Sequence, residues 1–262
     1  QFPLPFPPAL STAEYAAAFD EVKRLGGDGI VTPASRTADQ TNAGIYWSYD
    51  GSPLGPPPRL YNQIAVQLAA QRRSNIDDMA RLLALVNVAM ADAVIAAWQV
   101  KYLHQYWRPV TGIREADPGT GPTGVGDGNT ATLGDLSFTP LGAQATNLRG
   151  PNFTPPFPSY VSGHATLGGA LFQVLRNFFG TDQIPFTFTS DEFNGINRDN
   201  NGNTRPLLPR SFATLSQAEL ENAISRIYLG VHWRFDVTAG ITLGRSVADY
   251  VLMHGLMPPG RQ

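Results

Sequence analysis

The sequence predicts a mainly α protein, a helical bundle with long irregular loops. Apolar residues recur at three-to-four spacing in several segments, most clearly where Met79, Leu82, Leu83, Val86, Ala89 and Met90 line one face. Strand signal is weak, with alternation confined to residues 184–189. Stretches rich in Gly, Pro, Thr and Asn separate the helical segments, and the longest, 109–158, is too long for a passive connection and reads as a site wall. No internal repeat is present, so the helices must bury their apolar faces against one another.

The proline-rich lead, QFPLPFPPAL, has neither the basic nor the apolar region of a signal peptide, and a chain that begins at Gln1 without Met is expected to have been processed or cut. Ser11 and Glu14 have the spacing of a capping box and predict a helix running to Leu25, where Gly26-Gly27 stops it. Asp50-Gly51 and Pro56-Pro57-Pro58 are breakers that follow a short helix predicted between Thr37 and Tyr46. Two long helices come next, over 59–71 and 76–107, with Pro109 ending the second. Ser162 opens a third strong helix, carried by Leu167, Leu171, Phe172, Val174, Leu175, Phe178 and Phe179 as far as Gly180. After a second irregular stretch, 181–209, residues 216–229 and 237–257 predict the last two helices, parted near Gly230.

Composition sets the limits. At 262 residues and 42% hydrophobic content the chain can build one large core or two small ones. A net charge of −2 offers no global basic field, so nucleic acid and anionic membrane surfaces are not expected partners and any anion site must be built locally. There is no cysteine, which excludes disulfides and thiol nucleophiles but names no compartment; a soluble protein, secreted or periplasmic, is the favoured reading. The most apolar stretch, 79–100, is interrupted by Arg81, Asn87 and Asp92, so no membrane span is expected.

Three clusters carry chemistry. In KYLHQYWRP, Lys101 and Arg108 are seven apart; on one helix they point about 20° from each other and lie about 10 Å apart along the axis, so both reach a ligand from one side. The alternative is a pair of solvated cations at a helix end. In PPFPSYVSGHATLGGA, Ser162, Gly163 and His164 stand where an irregular segment becomes a helix, with free N–H groups and the positive end of the dipole together. An ordinary cap explains Ser162 but neither Gly163 nor His164. In SRIYLGVHWRFD, Arg226 offers a planar fork of donors, His232 is a candidate nucleophile or ligand, and Asp236 is four residues on, where it can fix the imidazole tautomer. Arg226 and His232 are six apart and diverge by about 120° on a straight helix, so Gly230 must break it or the two must reach the site from different sides. Together the clusters describe a cradle for a highly charged oxyanion, which phosphate and vanadate fit equally well.

Other features keep plain readings. Asp199-Asn200-Asn201-Gly202-Asn203 resembles a calcium loop without its closing Glu and reads as a turn. His104 and His254 read as structural or surface residues, and Trp47, Trp107 and Trp233 as packing.

The order Lys101, Arg108-Pro109, then Ser162-Gly163-His164, then Ser225-Arg226 with His232 and Asp236 resembles the three-part signature of the type-2 phosphatidic acid phosphatase superfamily, with Val161 where that motif usually has Pro. The superfamily contains acid phosphatases, lipid phosphatases and vanadium-dependent haloperoxidases. The flanks MADAVIAAWQVKYLHQYWRPVTGIREAD, FTPPFPSYVSGHATLGGALFQ, SDEFNGINRD and ELENAISRIYLGVHWRFD are most similar to vanadium chloroperoxidases, and SRTADQTNAGIYWSYDG resembles a segment upstream of the motifs in bacterial relatives. The resemblance spans about residues 35–236.

The resemblance implies the haloperoxidase and acid phosphatase type of helical bundle, here one catalytic domain over 1–262 that forms the C-terminal part of a longer chain. It implies that His232 binds the vanadium of vanadate, that Lys101, Arg108 and Arg226 neutralise its oxygens, and that Ser162 and the Gly163 N–H add hydrogen bonds. His164 is then the acid/base, and Trp98 and Phe157 flank the halide-oxidising face, where bromoperoxidases often have His in place of Phe157. Hydrogen peroxide and chloride or bromide are the implied substrates, with a small organic acceptor beyond them, and a homo-oligomer or an association with an N-terminal half is implied as the assembly. Two alternatives stay open: a phosphatase acting through a phosphohistidine at His232, with phosphate in the same site, and an oxyanion-binding module without turnover.

Overall fold

The computed structural model describes residues 2–51 and 53–255. Helix α1 (Ala13–Leu25) is capped by Thr12, whose hydroxyl accepts from the Tyr15 N–H, one residue later than the spacing of Ser11 and Glu14 predicts. Helix α2 (Ala38–Tyr46) has the full capping box, Thr37 and Gln40 bonding each other's backbone. Helix α3 (Pro57–Gln71) starts on Pro57, which suits a first turn whose N–H is unpaired in any case. Helix α4 (Ile76–His104) is shorter than the 76–107 expected, because Gln105 turns left-handed at φ 48° and ends it. Arg108 therefore sits outside that helix, as the residue preceding the short helix α5 (Pro109–Arg114), and the shared-helix geometry with Lys101 is corrected.

Helix α6 (Gly163–Phe179) runs from Ser162 to Gly180 as expected. Almost every side chain of its first three turns is buried, which is the signature of a central helix. The short strands β1 (Phe186–Phe188) and β2 (Arg210–Phe212) pair antiparallel, Phe186 opposite Phe212. Only the first was anticipated. Helices α7 (Leu215–Tyr228) and α8 (Arg234–His254) follow; residues 256–257 of the last predicted helix lie outside the described residues. Eight α-helices are thus present among the described residues, with one apolar cluster drawn from nearly all of them.

Helices α4, α7 and α8 pack around α6. The α6–α8 crossing is close because glycines face backbone there: a Cβ on Gly240 would lie 2.9 Å from the Ser162 carbonyl oxygen, and one on Gly244 would run into the Thr166 carbonyl. Buried Glu219 of α7 accepts from both Arg176 of α6 and Arg245 of α8, clamping three helices at the far end. One stretch beginning at Ile76 is long and apolar enough by length and composition alone to cross a membrane, a test that core helices also pass, and a third of its most apolar window is buried in the bundle.

Candidate active site

His232 lies in the link between α7 and α8. The chain leaves α7 at Tyr228, turns at Gly230 with φ 71°, and re-enters helix at Arg234, so the break that the Arg226–His232 spacing requires is present. The imidazole Nδ1 is 2.9 Å from Asp236 Oδ2, and Nε2 is 3.0 Å from Arg108 Nη1. A carboxylate accepts and a guanidinium donates, so Nδ1 carries the hydrogen and Nε2 keeps its lone pair. Burial drives the His232 pKa well below the ordinary histidine range, and Arg108 and Lys101 push it the same way, so the ring is neutral.

The cations are held by carbonyls. Lys101, fully buried on α4, donates to Pro158 O at 2.8 Å and Ser159 O at 3.0 Å, which leaves one ammonium hydrogen for a ligand. Arg108 donates through Nε to Phe157 O and through Nη1 to Val231 O, both at 2.8 Å. Burial, with Arg108 as the next cause, takes the Lys101 pKa well below its usual value, and burial lowers that of Arg108 to about 10. Aromatic rings wall this side: Trp98 and Phe157 have centroids 5.1 Å apart, and Phe157 lies beneath both cations, 5.2 Å from Lys101 Nζ and 4.9 Å from the Arg108 guanidinium carbon.

Arg226, in the last turn of α7, donates from Nη2 to Asp50 Oδ2 at 2.8 Å. Asp50 also faces His164, whose Nε2 is 3.9 Å from Oδ1 and 2.6 Å from the Ser48 carbonyl oxygen. That carbonyl requires a hydrogen on Nε2, so Nδ1 is the lone-pair nitrogen of His164. Burial lowers the His164 pKa to about 4, with Arg226 adding to the effect and Asp50 opposing it. Burial raises the Asp50 pKa, yet Arg226 and His164 outweigh it and hold the carboxyl below its usual value. Ser162 caps α6, its hydroxyl 3.4 Å from the Ala165 N–H, and its own N–H donates to Asp236 O at 3.0 Å. Gly163 opens the helix against Trp98, where a Cβ would sit 3.4 Å from the indole ring.

All the predicted ligands thus converge from α4, the start of α5, the start of α6, the end of α7 and the link before α8. What they leave unpaired is the informative part. Arg108 Nη2 and Arg226 Nε and Nη1 are buried with no hydrogen-bond partner. Buried guanidinium donors without acceptors are costly, on the order of 1–3 kcal/mol per group and more for charged ones, unless something else accepts from them. An oxyanion beside His232 Nε2 is the kind of group that would accept from them.

Sequence reasoning missed Asp50, Ser48 and Ser159. Asp50 was visible only as a turn breaker with Gly51, although it closes the segment SRTADQTNAGIYWSYDG that carried part of the resemblance. Behind it, the Tyr49 N–H donates to buried Glu192 at 3.3 Å; burial pushes that carboxyl up to about 7, with nearby Arg205 opposing. The plain readings fit: His104 packs edge-on between Phe6 and Tyr160, His254 bonds its own helix at Tyr250 O, and Asp199 closes a turn on the Asn201 and Asn203 N–H groups.

A family model described as the VCPO second helical-bundle domain matches residues 81–257. The vanadium chloroperoxidase of Curvularia inaequalis is 39% identical over 272 residues, covering 89% of this chain and 43% of that protein. The vanadium-dependent bromoperoxidase of Ascophyllum nodosum is 31% identical over 108 residues, 40% of this chain and 19% of its own. The crystal structure of a bacterial vanadium-dependent iodoperoxidase superposes with a TM-score of 0.71 at 28% identity, covering 97% of this chain and 53% of that one. A holo-type bacterial vanadium-dependent chloroperoxidase shares the fold at a TM-score of 0.65 and 20% identity, over 95% of this chain and 49% of that one. The chain spans about half the length of these relatives or less.

Proposed function

The chain belongs to the family of vanadium chloroperoxidase second helical-bundle domains, and from that premise we propose that it holds vanadate around His232 and oxidises chloride or bromide with hydrogen peroxide to hypohalous acid. The observation that carries this reading is the set of three buried, unpartnered guanidinium nitrogens, on Arg108 and Arg226, together with a histidine whose Nε2 carries no hydrogen of its own.

In this reading His232 Nε2 binds the vanadium, and Lys101, Arg108 and Arg226 share the charge on the oxygens. Ser162 and the Gly163 N–H add hydrogen bonds at the positive end of α6. Bound vanadate supplies Lewis acidity without a change of oxidation state, which activates hydrogen peroxide toward a halide. His164, neutral above its depressed pKa of about 4, takes and returns a proton at Nδ1 while Ser48 holds Nε2. Trp98 and Phe157 exclude water from the face where the halide approaches. One apolar cluster across the described residues supports a single catalytic bundle.

The test is direct. Protein incubated with orthovanadate is mixed with hydrogen peroxide, bromide or chloride, and a phenol probe; halogenation that needs all three reagents supports the reading, and its absence with either halide rejects it. The unprotonated Nε2 of His232 also favours a second reading, phosphoryl transfer through a phosphohistidine at His232. That reading requires aryl phosphate hydrolysis by vanadate-free protein, abolished in His232→Ala.

A further inference from the structure

We propose that Ser159 is a positioning residue, its hydroxyl locking the Asp236–His232 pair in the one tautomer that presents Nε2 to the oxyanion site. The inference deepens the reading above and rests on it for the identity of the ligand, though not for the tautomer. Ser159 is fully buried, four residues beyond Pro155 in the irregular segment that leads into α6. Its hydroxyl donates to Asp236 Oδ2, and its oxygen is 3.4 Å from His232 Nδ1.

The carboxylate of Asp236 has no hydrogen to offer, so the single hydroxyl hydrogen of Ser159 is committed to Oδ2. The Ser159 oxygen then meets Nδ1 only as an acceptor. Both atoms facing Nδ1, the carboxylate oxygen and the hydroxyl oxygen, are therefore acceptors, and an Nδ1 without hydrogen would place three lone-pair sites against one another in a buried space. Only the Nδ1–H tautomer satisfies the triangle.

The second effect is on Asp236 itself. Ser159, the Trp233 N–H at 3.0 Å and His232 all converge on Oδ2, while Oδ1 is buried with no partner. Three donors on one oxygen fix which oxygen faces the ring; with Ser159 removed, only the Trp233 N–H and the His232 ring itself remain on Oδ2. The backbone of the same residue reaches the opposite wall, since the Ser159 carbonyl accepts from Lys101 and its N–H is held by Tyr106 O at 2.8 Å. One residue thus spaces a cation of the cradle from its histidine. Groups that orient a ligating histidine in this way typically change affinity by roughly 10- to 100-fold when removed.

The test compares wild type with Ser159→Ala in ¹⁵N-labelled protein free of oxyanion. Long-range ¹H–¹⁵N spectra of the imidazoles report which nitrogen of His232 carries the hydrogen, and calorimetry with orthovanadate reports the presentation of Nε2. Wild type is expected to show only the Nδ1–H form. Ser159→Ala is expected to show an added Nε2–H population and roughly 10-fold weaker orthovanadate binding, with thermal melting close to wild type, which separates a positioning role from a merely structural one. An unchanged tautomer in Ser159→Ala, or orthovanadate affinity within twofold of wild type, overturns the proposal. Wild-type protein loaded with orthovanadate that halogenates nothing rejects the haloperoxidase reading and leaves the tautomer result standing.

Discussion

Asp50 and Arg226, 176 residues apart in sequence, meet in a buried ion pair of 2.8 Å that forms one side of the proposed oxyanion cradle. Arg226 is 1% exposed and has two further nitrogens without partners, so Asp50 is the acceptor that keeps this cation tolerable before an anion arrives. Asp50→Asn preserves the shape and removes the charge. Breaking a buried pair from one side costs about 3–5 kcal/mol, and a clear fall in melting temperature is expected. Saturating phosphate is expected to restore part of the loss, because it gives Arg226 another acceptor; melts with and without phosphate check this, and an equal fall under both conditions contradicts it.

The glycines of α8 give a second prediction. Gly240 and Gly244 both face α6 backbone, yet only Gly240 abuts the residue at the site, with its missing Cβ 2.9 Å from Ser162 O. Gly244→Ala strikes the Thr166 carbonyl one turn further in, where α6 has no freedom to yield. Overpacking of this kind costs roughly 1–3 kcal/mol. Both variants are expected to melt earlier, but only Gly240→Ala is expected to weaken phosphate binding out of proportion to its stability loss, because it displaces the N-terminus of α6. Calorimetry on the two variants decides it.

Local signals made much of the fold legible. Thr37 with Gln40, Ser162 and Gly180 act within one turn, so their caps can be read without knowing the rest of the molecule. The three motifs were legible because each places its chemistry within a few residues. Asp50 and Ser159 were not, because their meaning lies in partners 176 and 77 residues away and a pairing at that separation leaves no periodic trace. Strand β2 escaped for a related reason: three residues paired to a distant neighbour carry almost no pattern of their own. The helix end at Gln105 was hidden because a left-handed residue other than Gly or Asn gives no warning in sequence, and Arg108 was consequently assigned to the wrong element.

Oxyanion affinity is expected to depend on pH through Lys101. In the free protein, burial first and Arg108 second hold its pKa well below the ordinary lysine value. A bound anion favours the charged ammonium and raises that pKa, so binding takes up a proton wherever free Lys101 is neutral and bound Lys101 is charged. The sign follows: affinity is constant below the free pKa and falls as pH rises from there to the bound pKa, by up to about tenfold per pH unit. Sulfate, whose own charge stays fixed across this range, is the suitable probe. Titrations at several pH values are expected to show affinity falling into the alkaline range in wild type and a flatter profile in Lys101→Met; identical profiles for the two contradict the assignment.

Removal of the histidine ring separates attraction by charge from a bond to the central atom. His232 is neutral, so its contribution to a purely electrostatic cradle is small, and Arg108 Nη1 merely loses an acceptor at 3.0 Å when the ring is cut away. Lys101, Arg108 and Arg226 keep their carbonyl and carboxylate partners and still attract a tetrahedral anion. Phosphate, which forms no lasting bond to Nε2 in a simple binding equilibrium, is therefore expected to bind His232→Ala within several-fold of wild type. Vanadate, which expands its coordination to accept a nitrogen, is expected to lose roughly 100-fold or more, about 2.7 kcal/mol. Measuring both anions on both proteins makes the ratio the observable. If the variant weakens the two anions equally, Nε2 is part of the electrostatic wall and not a ligand, and the vanadium assignment to His232 falls with it.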